Sequence, residues 1–340
     1  MTKTVDLAIV GASGAIGEAM LELLADRDFP MGRLYLLDDE RSLGKKLEFR
    51  DRYLPVEALE GFDFGKVRLV LFAASAQIAA EYAPKAAAAG ALVVDTSGFF
   101  NADPEIPLVV PEVNAAELAR WQARRIIASP GPGAVQLALV LKPLLDRAGL
   151  ERVNVVSYQA VSALGKDAVE ELAGQTAGLL NLKQIKPKLF PRQIAFNVIP
   201  QVDEIGDDGY TREEWRLQDE TRRLLGAQAL PLSATCAWVP VFYGHSMAVR
   251  VETREPLSAE AARKLLKEAP GVEVLDGRKS GGYPTPVTEA AHSDDVFVGR
   301  IRDDLSHARG LNFWVVADNV RKGAALNGIQ LAEMLVRDHL

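Results

Sequence analysis

Along its first 130 residues, the chain alternates short apolar runs with segments whose apolar residues recur at helical spacing. The short runs predict buried strands, and the helical spacing between them predicts helices. The predicted strands are Val5–Val10, Leu34–Leu37, Val67–Phe72, Ala91–Asp95 and Ile126–Ala128, and the predicted helices are Glu18–Ala25, Ala76–Ala89 and Val113–Arg124. Strands that alternate with helices indicate an α/β fold with a doubly wound parallel sheet of the Rossmann type.

After Pro143 the pattern changes, because strand-like runs now follow one another. The predicted strands are Asn154–Ser162, Leu230–Val241, Ser246–Thr253, Val272–Leu275, Val296–Ile301 and Leu311–Ala317, and the predicted helices are Lys166–Leu180, Tyr210–Leu225 and Arg321–Leu340. Strands in runs indicate an α+β domain with a sheet rich in antiparallel pairs.

The composition is that of an ordinary globular protein. The chain has 340 residues, of which 48% are apolar and 25% charged, which suggests about two domains. A net charge of −7 argues against nucleic acid or an anionic membrane as the main partner. The single cysteine, Cys236, excludes an internal disulfide framework. The first apolar run is short and contains Asp6, and no stretch approaches the ~18 apolar residues of a spanning helix, so we expect a cytoplasmic protein.

A glycine-rich segment joins the first predicted strand to the first helix. It reads Gly11-Ala-Ser-Gly-Ala-Ile-Gly17, the G-x-x-G-x-x-G form of a dinucleotide-binding fingerprint. Glycine lets the backbone approach a pyrophosphate, and the helix N-terminus supplies N–H donors. The residues predicted to face a cofactor here are Gly11, Ser13, Gly14, Ala15, Ile16 and Gly17. A strand–helix turn without a ligand is the alternative.

The second predicted strand ends in a charged segment, Asp38-Asp-Glu-Arg-Ser42. An acidic residue about 20 positions after the fingerprint usually binds the ribose hydroxyls of the cofactor. The residues predicted to face the cofactor here are Asp39, Arg41 and Ser42. Two aspartates in this segment disfavour a 2′-phosphate, whereas Arg41 and Ser42 favour one, so both NAD and NADP stay open. A solvated turn is the competing interpretation.

A second turn has the position of a catalytic nucleophile. Ile126–Ala128 predicts the end of a buried strand, Ser129-Pro-Gly-Pro-Gly133 a turn, and Ala134–Leu141 a helix. Enzymes of the α/β class often place a nucleophile at such a turn, because the backbone N–H groups at a helix N-terminus stabilise developing negative charge. This turn, however, contains only prolines, glycines and one serine.

Several segments together resemble one family, the aspartate-semialdehyde dehydrogenases. Besides the fingerprint they are Glu40-Arg-Ser-Leu-Gly44, Pro107-Leu-Val-Val-Pro-Glu-Val-Asn114, Tyr158-Gln-Ala-Val-Ser162, Ala195-Phe-Asn-Val-Ile-Pro-Gln-Val202, Val239-Pro-Val-Phe-Tyr-Gly-His-Ser246, Val298-Gly-Arg-Ile-Arg302 and Asp318-Asn-Val-Arg-Lys-Gly-Ala-Ala-Leu-Asn327. The resemblance covers nearly the whole chain in the family's order. It implies an NAD(P)-binding domain of residues 1–130 and 319–340, a dimerisation and catalytic-like domain of residues 131–318, a homodimer, and a place in amino-acid biosynthesis.

In that family a cysteine attacks the aldehyde, a histidine is the acid/base, hydride passes to NADP, and phosphate releases the acyl group. The register set by Gln136 and Lys142 puts the nucleophilic cysteine at Pro132, which has no nucleophilic atom. By the same resemblance, the arginine that binds the substrate carboxylate falls on Trp238 and the arginine that binds phosphate falls on Asn101.

Other site positions are kept. The resemblance implies His245 and Gln159 as catalytic positions, Glu213 and Arg216 as substrate-like positions, and Asn319 as a cofactor position. The serine of the family's ribose motif becomes Asp39, which argues further against a 2′-phosphate. The histidines offer no metal-ligand spacing, so we predict no metal site.

Two other residues are candidates to replace the missing thiol. Ser129 would need a base to activate it, and Cys236 fits a buried core position. We therefore expect a catalytically impaired homologue, similar to the Usg-type branch of the family, that keeps an NADP or NAD site and binds a small molecule.

The alternative is an active NAD(P)-dependent oxidoreductase that acts on a carbonyl or semialdehyde with His245 as acid/base and no covalent intermediate. A partner-binding role without chemistry is a third hypothesis. His245 itself is equally compatible with a structural role.

Overall fold

The computed structural model describes residues 4–340. In chain order, the elements up to residue 131 are β1 (Val5–Val10), α1 (Ala15–Asp26), β2 (Met31–Asp38), β3 (Lys46–Phe49), β4 (Arg52–Ala58), β5 (Leu69–Phe72), α2 (Ala76–Ala88), β6 (Leu92–Asp95), α3 (Pro111–Asn114) and β7 (Ile126–Ala128). They are followed by α4 (Pro132–Ala148), β8 (Leu150–Gln159), α5 (Lys166–Leu180), α6 (Arg212–Leu224), β9 (Leu232–Trp238), β10 (His245–Thr253), α7 (Ala259–Lys267), β11 (Val272–Val274), β12 (Val296–Asp303), β13 (Gly310–Ala317) and α8 (Asn327–His339).

The described chain divides into two compact units. One contains the residues up to Gly131 together with Ala324–Leu340, and the other is Pro132–Gly323. In the first unit, α8 packs on the N-terminal part: Ile329, Leu331 and Leu335 have no exposed surface and belong to the same core as β1 and β5. The last residues of the chain therefore complete the hydrophobic core formed by the first ones.

The first unit is built on a seven-stranded sheet with the order β3-β4-β2-β1-β5-β6-β7. All neighbours are parallel except β3 and β4. Every residue of β5 and β6 is buried, as expected for central parallel strands that are covered on both faces. The predicted doubly wound Rossmann-type sheet is confirmed.

The second unit is built on a six-stranded sheet with the order β11-β12-β13-β10-β8-β9. Its three central pairings are antiparallel, and the pairs at both edges, β8 with β9 and β11 with β12, are parallel. Helices α4, α6 and α7 pack against this sheet. The predicted α+β class of this part is confirmed.

Three elements were not predicted from the sequence, namely strands β3 and β4 and helix α7. Strands β3 and β4 lie at the edge of the first sheet and carry charges among their apolar residues, which weakens the strand signal. Helix α7 is a short amphipathic helix capped by Ser258, whose Oγ accepts a hydrogen bond from the N–H of Ala261.

Three predicted helices were wrong in detail. Within Val113–Arg124, residues Ala115–Ala123 form a 3₁₀ helix rather than an α-helix. The helix after the turn begins at Pro132, two residues before the predicted Ala134, because proline at the first helical position needs no N–H partner and has a helical φ. At the C-terminus, Arg321–Leu326 forms a π-helical segment before α8 begins.

Candidate functional site

The glycine loop between β1 and α1 has the shape that close approach to a pyrophosphate requires. Gly11 has φ +80°, and a Cβ built there would lie 2.7 Å from the carbonyl oxygen of Ala73. A Cβ on Gly17 would lie 2.3 Å from the carbonyl oxygen of Gly11, so this glycine permits close packing of helix on strand. At both positions a side chain would collide with the protein's own backbone, so the two glycines allow the tight turn that leads into the N-terminus of α1. The N–H groups of a first helical turn are donors suited to a phosphate. The loop therefore fits a dinucleotide.

The acidic residue at the end of β2 that contacts this loop is Asp38. Its Oδ2 accepts hydrogen bonds from the Ser13 N–H at 3.0 Å and from the Ser13 hydroxyl at 2.6 Å. Ser42 lies beside the same hydroxyl, with its Oγ 3.0 Å from the Ser13 Oγ. The neighbouring Asp39 instead caps the turn that follows and forms an ion pair with Arg41. Sequence reasoning chose Asp39 for the cofactor site; the position of Asp38 as last residue of its strand was the available signal.

In the second unit, three strand ends bring Gln159, Trp238 and His245 together. Gln159 and Trp238 are paired at the carboxyl ends of the parallel strands β8 and β9. β10 runs antiparallel to β8, and its Ser246 pairs with Tyr158, so His245 begins β10 at the same end of the sheet. All three side chains are buried.

His245 is held as a neutral imidazole. Its Nδ1 accepts a hydrogen bond from the N–H of Ala160 at 3.1 Å, which leaves the ring proton on Nε2. Burial, assisted by the positive charge of Arg216, lowers the pKa of His245 to about 3. Near neutral pH this ring therefore does not take up a proton.

A chain of polar groups connects the sheet to α6. The Nε2 of Gln159 donates to Glu213 Oε1 at 2.9 Å, and the other carboxylate oxygen of Glu213 forms an ion pair with Arg216. Helix α6 is fixed by Glu214: one of its oxygens accepts the N–H of Thr211, which closes a capping box, and the other accepts the N–H of Cys236 at 2.9 Å. Sequence reasoning missed Glu214, although Thr211-x-x-Glu214 is a capping-box pattern.

Trp238 faces an apolar environment. Its ring packs edge-on against Phe190 with 5.7 Å between the ring centroids, and only 4% of the residue is exposed. An indole offers one N–H donor, whereas a guanidinium offers five and binds a carboxylate through two of them.

The turn after β7 was predicted to have the position of a nucleophile. On the side of the first unit, Ser129 is 1% exposed, and its Oγ accepts a hydrogen bond from the Asn327 side chain at 2.8 Å. On the side of the second unit, Pro132 begins α4, and a Cβ on Gly323 would lie 2.5 Å from the Pro132 Cβ. Ser129 therefore has the contacts of a structural residue, and the proline ring packs against backbone.

Cys236 lies on β9 and has no exposed surface. Burial raises the pKa of its thiol, and the negative charges of Glu213 and Glu214 raise it further. A thiol in these surroundings stays protonated and is a poor nucleophile.

Two further predicted site residues belong to different units of the chain. Asn101 is a buried residue of the first unit, in the segment that follows β6. Asn319, predicted to bind the cofactor, lies in the second unit, where its side chain accepts the N–H of Gly244 at 3.0 Å and donates to the Ser162 hydroxyl at 3.0 Å. Its amide therefore joins two loops at the end of the sheet that carries His245.

Within residues 4–340, no group of three His, Cys, Asp or Glu side chains has the arrangement of a metal site. None of the helices in this range is long and apolar enough to cross a membrane.

Comparison with known proteins agrees with this architecture. Residues 6–121 match the family described as "Semialdehyde dehydrogenase, NAD binding domain", and residues 141–322 match "Semialdehyde dehydrogenase, dimerisation domain". The chain is 47% identical to aspartate-semialdehyde dehydrogenase 2 of Vibrio cholerae over 339 residues, which cover 100% of both chains. The chain belongs to the aspartate-semialdehyde dehydrogenase family. The dimerisation domain supports the predicted homodimer.

Other members of this family are also similar over their full length. The aspartate-semialdehyde dehydrogenase of Legionella pneumophila is 47% identical, with 100% of this chain and 98% of that protein covered. The crystal structure of aspartate semialdehyde dehydrogenase II from Vibrio cholerae has a TM-score of 0.97 and covers 99% of this chain and 100% of its own. A probable aspartate-semialdehyde dehydrogenase from Pseudomonas aeruginosa is 40% identical, with a TM-score of 0.95 and the same coverage.

Proposed function

We propose that this chain is an NAD(P)-binding member of the family that does not carry out the phosphorylating oxidation of aspartate semialdehyde. The observation that carries the proposal is Pro132, the first residue of α4, at the position where the family's motif has the nucleophilic cysteine. A proline offers no atom that can form a covalent bond with the aldehyde carbon. Cys236, the single thiol of the sequence, lies buried on β9 and does not replace it.

Two further positions support the same proposal. The buried Trp238 stands where the motif has the arginine that binds the substrate carboxylate, and Asn101 stands where it has the phosphate-binding arginine. Each replacement removes a charge-assisted hydrogen bond to an anionic ligand. The loss of these groups together with the nucleophile is the pattern that we assign to the Usg-type branch.

The cofactor part of the proposal rests on the glycine loop and on the match of residues 6–121 to the NAD-binding domain. The residues of this loop would hold the pyrophosphate, and the end of β2 would hold the adenosine ribose. A bound nicotinamide dinucleotide supplies hydride chemistry. The role of the chain's own residues in this proposal is to bind and orient the dinucleotide.

The alternative of an active oxidoreductase that uses His245 as acid/base finds less support. Its imidazole is buried, Nδ1 already accepts the N–H of Ala160, and the pKa of the ring is lowered to about 3. A general base works best with a pKa near the working pH, so this histidine is poorly matched to that role.

Turnover of aspartate semialdehyde tests the proposal. The purified chain, supplied with the semialdehyde, phosphate and either NAD or NADP, is expected to form reduced nicotinamide at least about 10⁴-fold more slowly than an active enzyme, because loss of a covalent nucleophile has effects of this size or larger. The matched control is the aspartate-semialdehyde dehydrogenase 2 of Vibrio cholerae in the same buffers. Comparable rates for the two proteins would refute the proposal.

Restoring the missing groups is the complementary test. Two triple variants are compared, both of which carry Trp238→Arg and Asn101→Arg. We expect the one with Pro132→Cys to have higher dehydrogenase activity than the one with Pro132→Ala. Circular dichroism checks that both triple variants fold, and alkylation with iodoacetamide measures whether the new thiol is reactive. Equal rates in the two variants would show that the loss extends beyond these three positions.

A further inference from the structure

The carboxylate of Asp38 is held in a fixed orientation beside the glycine loop. Oδ2 accepts both the N–H and the hydroxyl of Ser13, and Oδ1 accepts the N–H of Asp39 at 2.8 Å. Three donors therefore position the group, and an ionised carboxylate has about four lone-pair sites, so acceptor capacity remains. In Rossmann-type domains an acidic residue at this end of the second strand accepts hydrogen bonds from the adenosine ribose hydroxyls.

The two cations near this carboxylate do not balance the acidic side chains around them. The Arg41 guanidinium is paired with Asp39, with Nη2 2.5 Å and Nε 2.9 Å from the same carboxylate oxygen, and 91% of its side chain is exposed. The Nζ of Lys45 lies 3.5 Å from the Ser42 Oγ. Residues 38–45 contain three acidic side chains and two basic ones. A phosphate adds about 1.5 to 2 negative charges, which this surface repels on balance.

We infer that the chain selects NAD over NADP, and that Asp38 is the residue that decides this preference. The inference rests on the proposed function, namely that the chain binds a nicotinamide dinucleotide, and it is opposite to the NADP that the family resemblance implies. The Asp38 carboxylate binds the ribose 2′-hydroxyl and repels a phosphate at the same position. The positive charge of Arg41 does not offset this repulsion, because it is paired with the carboxylate of Asp39.

Isothermal titration calorimetry on the full-length protein tests this preference. The ligands are NAD and NADP, together with ADP-ribose and its 2′-phosphate, which lack the nicotinamide and so report on the adenosine end alone. The wild-type chain is expected to bind the form without the 2′-phosphate at least about tenfold more tightly in both pairs. Asp38→Ala is expected to lose about ten- to hundredfold in affinity for NAD, the range for a hydrogen bond to a charged group, and to lose the preference.

Two further variants distinguish the effect of Asp38 on nucleotide preference from the effect of the region's net charge. Asp39→Ala frees Arg41 and should strengthen NADP binding while it leaves NAD binding nearly unchanged. Glu60→Ala removes an exposed carboxylate beyond β4 and should change neither ratio. Thermal denaturation verifies that each variant is folded.

Two results would overturn the inference alone: NADP binding at least as tightly as NAD in the wild-type chain, or an unchanged ratio in Asp38→Ala. If none of the four nucleotides binds, the cofactor part of the proposed function fails and this inference fails with it. The two failures are therefore distinguishable.

Discussion

The thiol of Cys236 is buried on β9 in the second unit, and the backbone N–H of Cys236 donates a hydrogen bond to the Glu214 carboxylate. Burial raises the pKa of this thiol, with the carboxylates of Glu213 and Glu214 as further causes. Since the thiolate is the reactive form, a cysteine in this place behaves as a small apolar side chain. Its position thus decides its chemistry more than its residue type does.

We predict that Cys236 does not react with a thiol reagent in the folded protein. Ellman's reagent added to the native chain should release almost no chromophore, and one equivalent should appear after unfolding in guanidinium chloride. The control is Cys236→Ser, which should release none in either state. Rapid labelling of the native protein would contradict the prediction and reopen Cys236 as a nucleophile.

Asp95 is a second buried residue whose surroundings change its acidity. It ends β6, and its carboxylate accepts the N–H of Ser97 at 3.1 Å and the Ser97 hydroxyl at 2.9 Å. Burial raises the pKa of Asp95 to about 6, and these hydrogen bonds only partly oppose that effect. Because the folded pKa lies above the ordinary value, protonation favours the folded state, and this stabilisation is present at low pH and lost as the pH rises through about 6.

We therefore predict that the wild type loses stability relative to Asp95→Asn as the pH rises from 4 to 7. The difference in unfolding free energy between the two proteins should fall by about 1.4 kcal/mol for each unit by which the pKa is raised. Urea titrations at several pH values measure this difference. Glu57→Gln, which removes an exposed carboxylate on β4, provides the background curve. A difference between wild type and Asp95→Asn that does not change with pH would contradict the prediction.

At the scale of elements, helix α6 shows how a local pattern and a long-range contact act together. Thr211 and Glu214 cap the helix reciprocally, which the sequence spacing is sufficient to predict. The second oxygen of Glu214 reaches the N–H of Cys236, 22 residues away, and thereby fixes the helix on β9. This contact holds Glu213 and Arg216 beside Gln159.

We predict that Glu214→Ala destabilises the protein more than Thr211→Ala does. Thr211→Ala removes one cap and should cost about 1 kcal/mol. Glu214→Ala leaves two buried N–H groups without acceptors and should cost about 1–3 kcal/mol for each. Chemical denaturation measures both, with Asp219→Ala on the exposed side of α6 as control. Equal costs for the two variants would show that the bond to Cys236 contributes nothing.

Elements were predictable from sequence to the extent that local signals define them. The bounds of β1, α2 and α5 differ from the predicted ones by no more than one residue, because apolar runs and helical periodicity mark them clearly. The 3₁₀ form of Ala115–Ala123 and the π-helical Arg321–Leu326 carry the same periodicity as an α-helix. Their hydrogen-bond pattern depends on packing, which periodicity does not report.

At the scale of the whole molecule, the first unit depends on residues from the opposite end of the chain. Helix α8 contributes fully buried side chains to its core, and Gly328 permits close approach, since a Cβ there would lie 3.0 Å from the Met20 Cε. The ion pair between Arg27, the residue that follows α1, and Glu333 of α8 joins the two helices. The hydrophobic core of the first unit therefore forms only when α8 packs against the N-terminal elements.

We predict that Leu335→Ala destabilises the first unit by about 2–5 kcal/mol, the usual cost of a large-to-small change in a core. Hydrogen exchange should become faster in β1, β5 and β6, while β10 in the second unit keeps its protection. The control, Arg337→Ala, alters an exposed residue of the same helix and should have little effect. A uniform increase in exchange across both units would contradict this assignment.

The family, the two fold classes and the glycine loop could be predicted from the amino-acid sequence, because each of these depends on residue identity and spacing. The proposal that Pro132 stands at the nucleophile position rests on the same kind of information. Which side chains reach one another depends instead on the tertiary structure. It brought Asp38 rather than Asp39 to the glycine loop, and it paired Ser129 with Asn327, 198 residues further along the chain. It also gave His245 its neutral form through burial and the N–H of Ala160. Acidity and hydrogen bonding depend on neighbours in space, and a linear pattern specifies neighbours only along the chain.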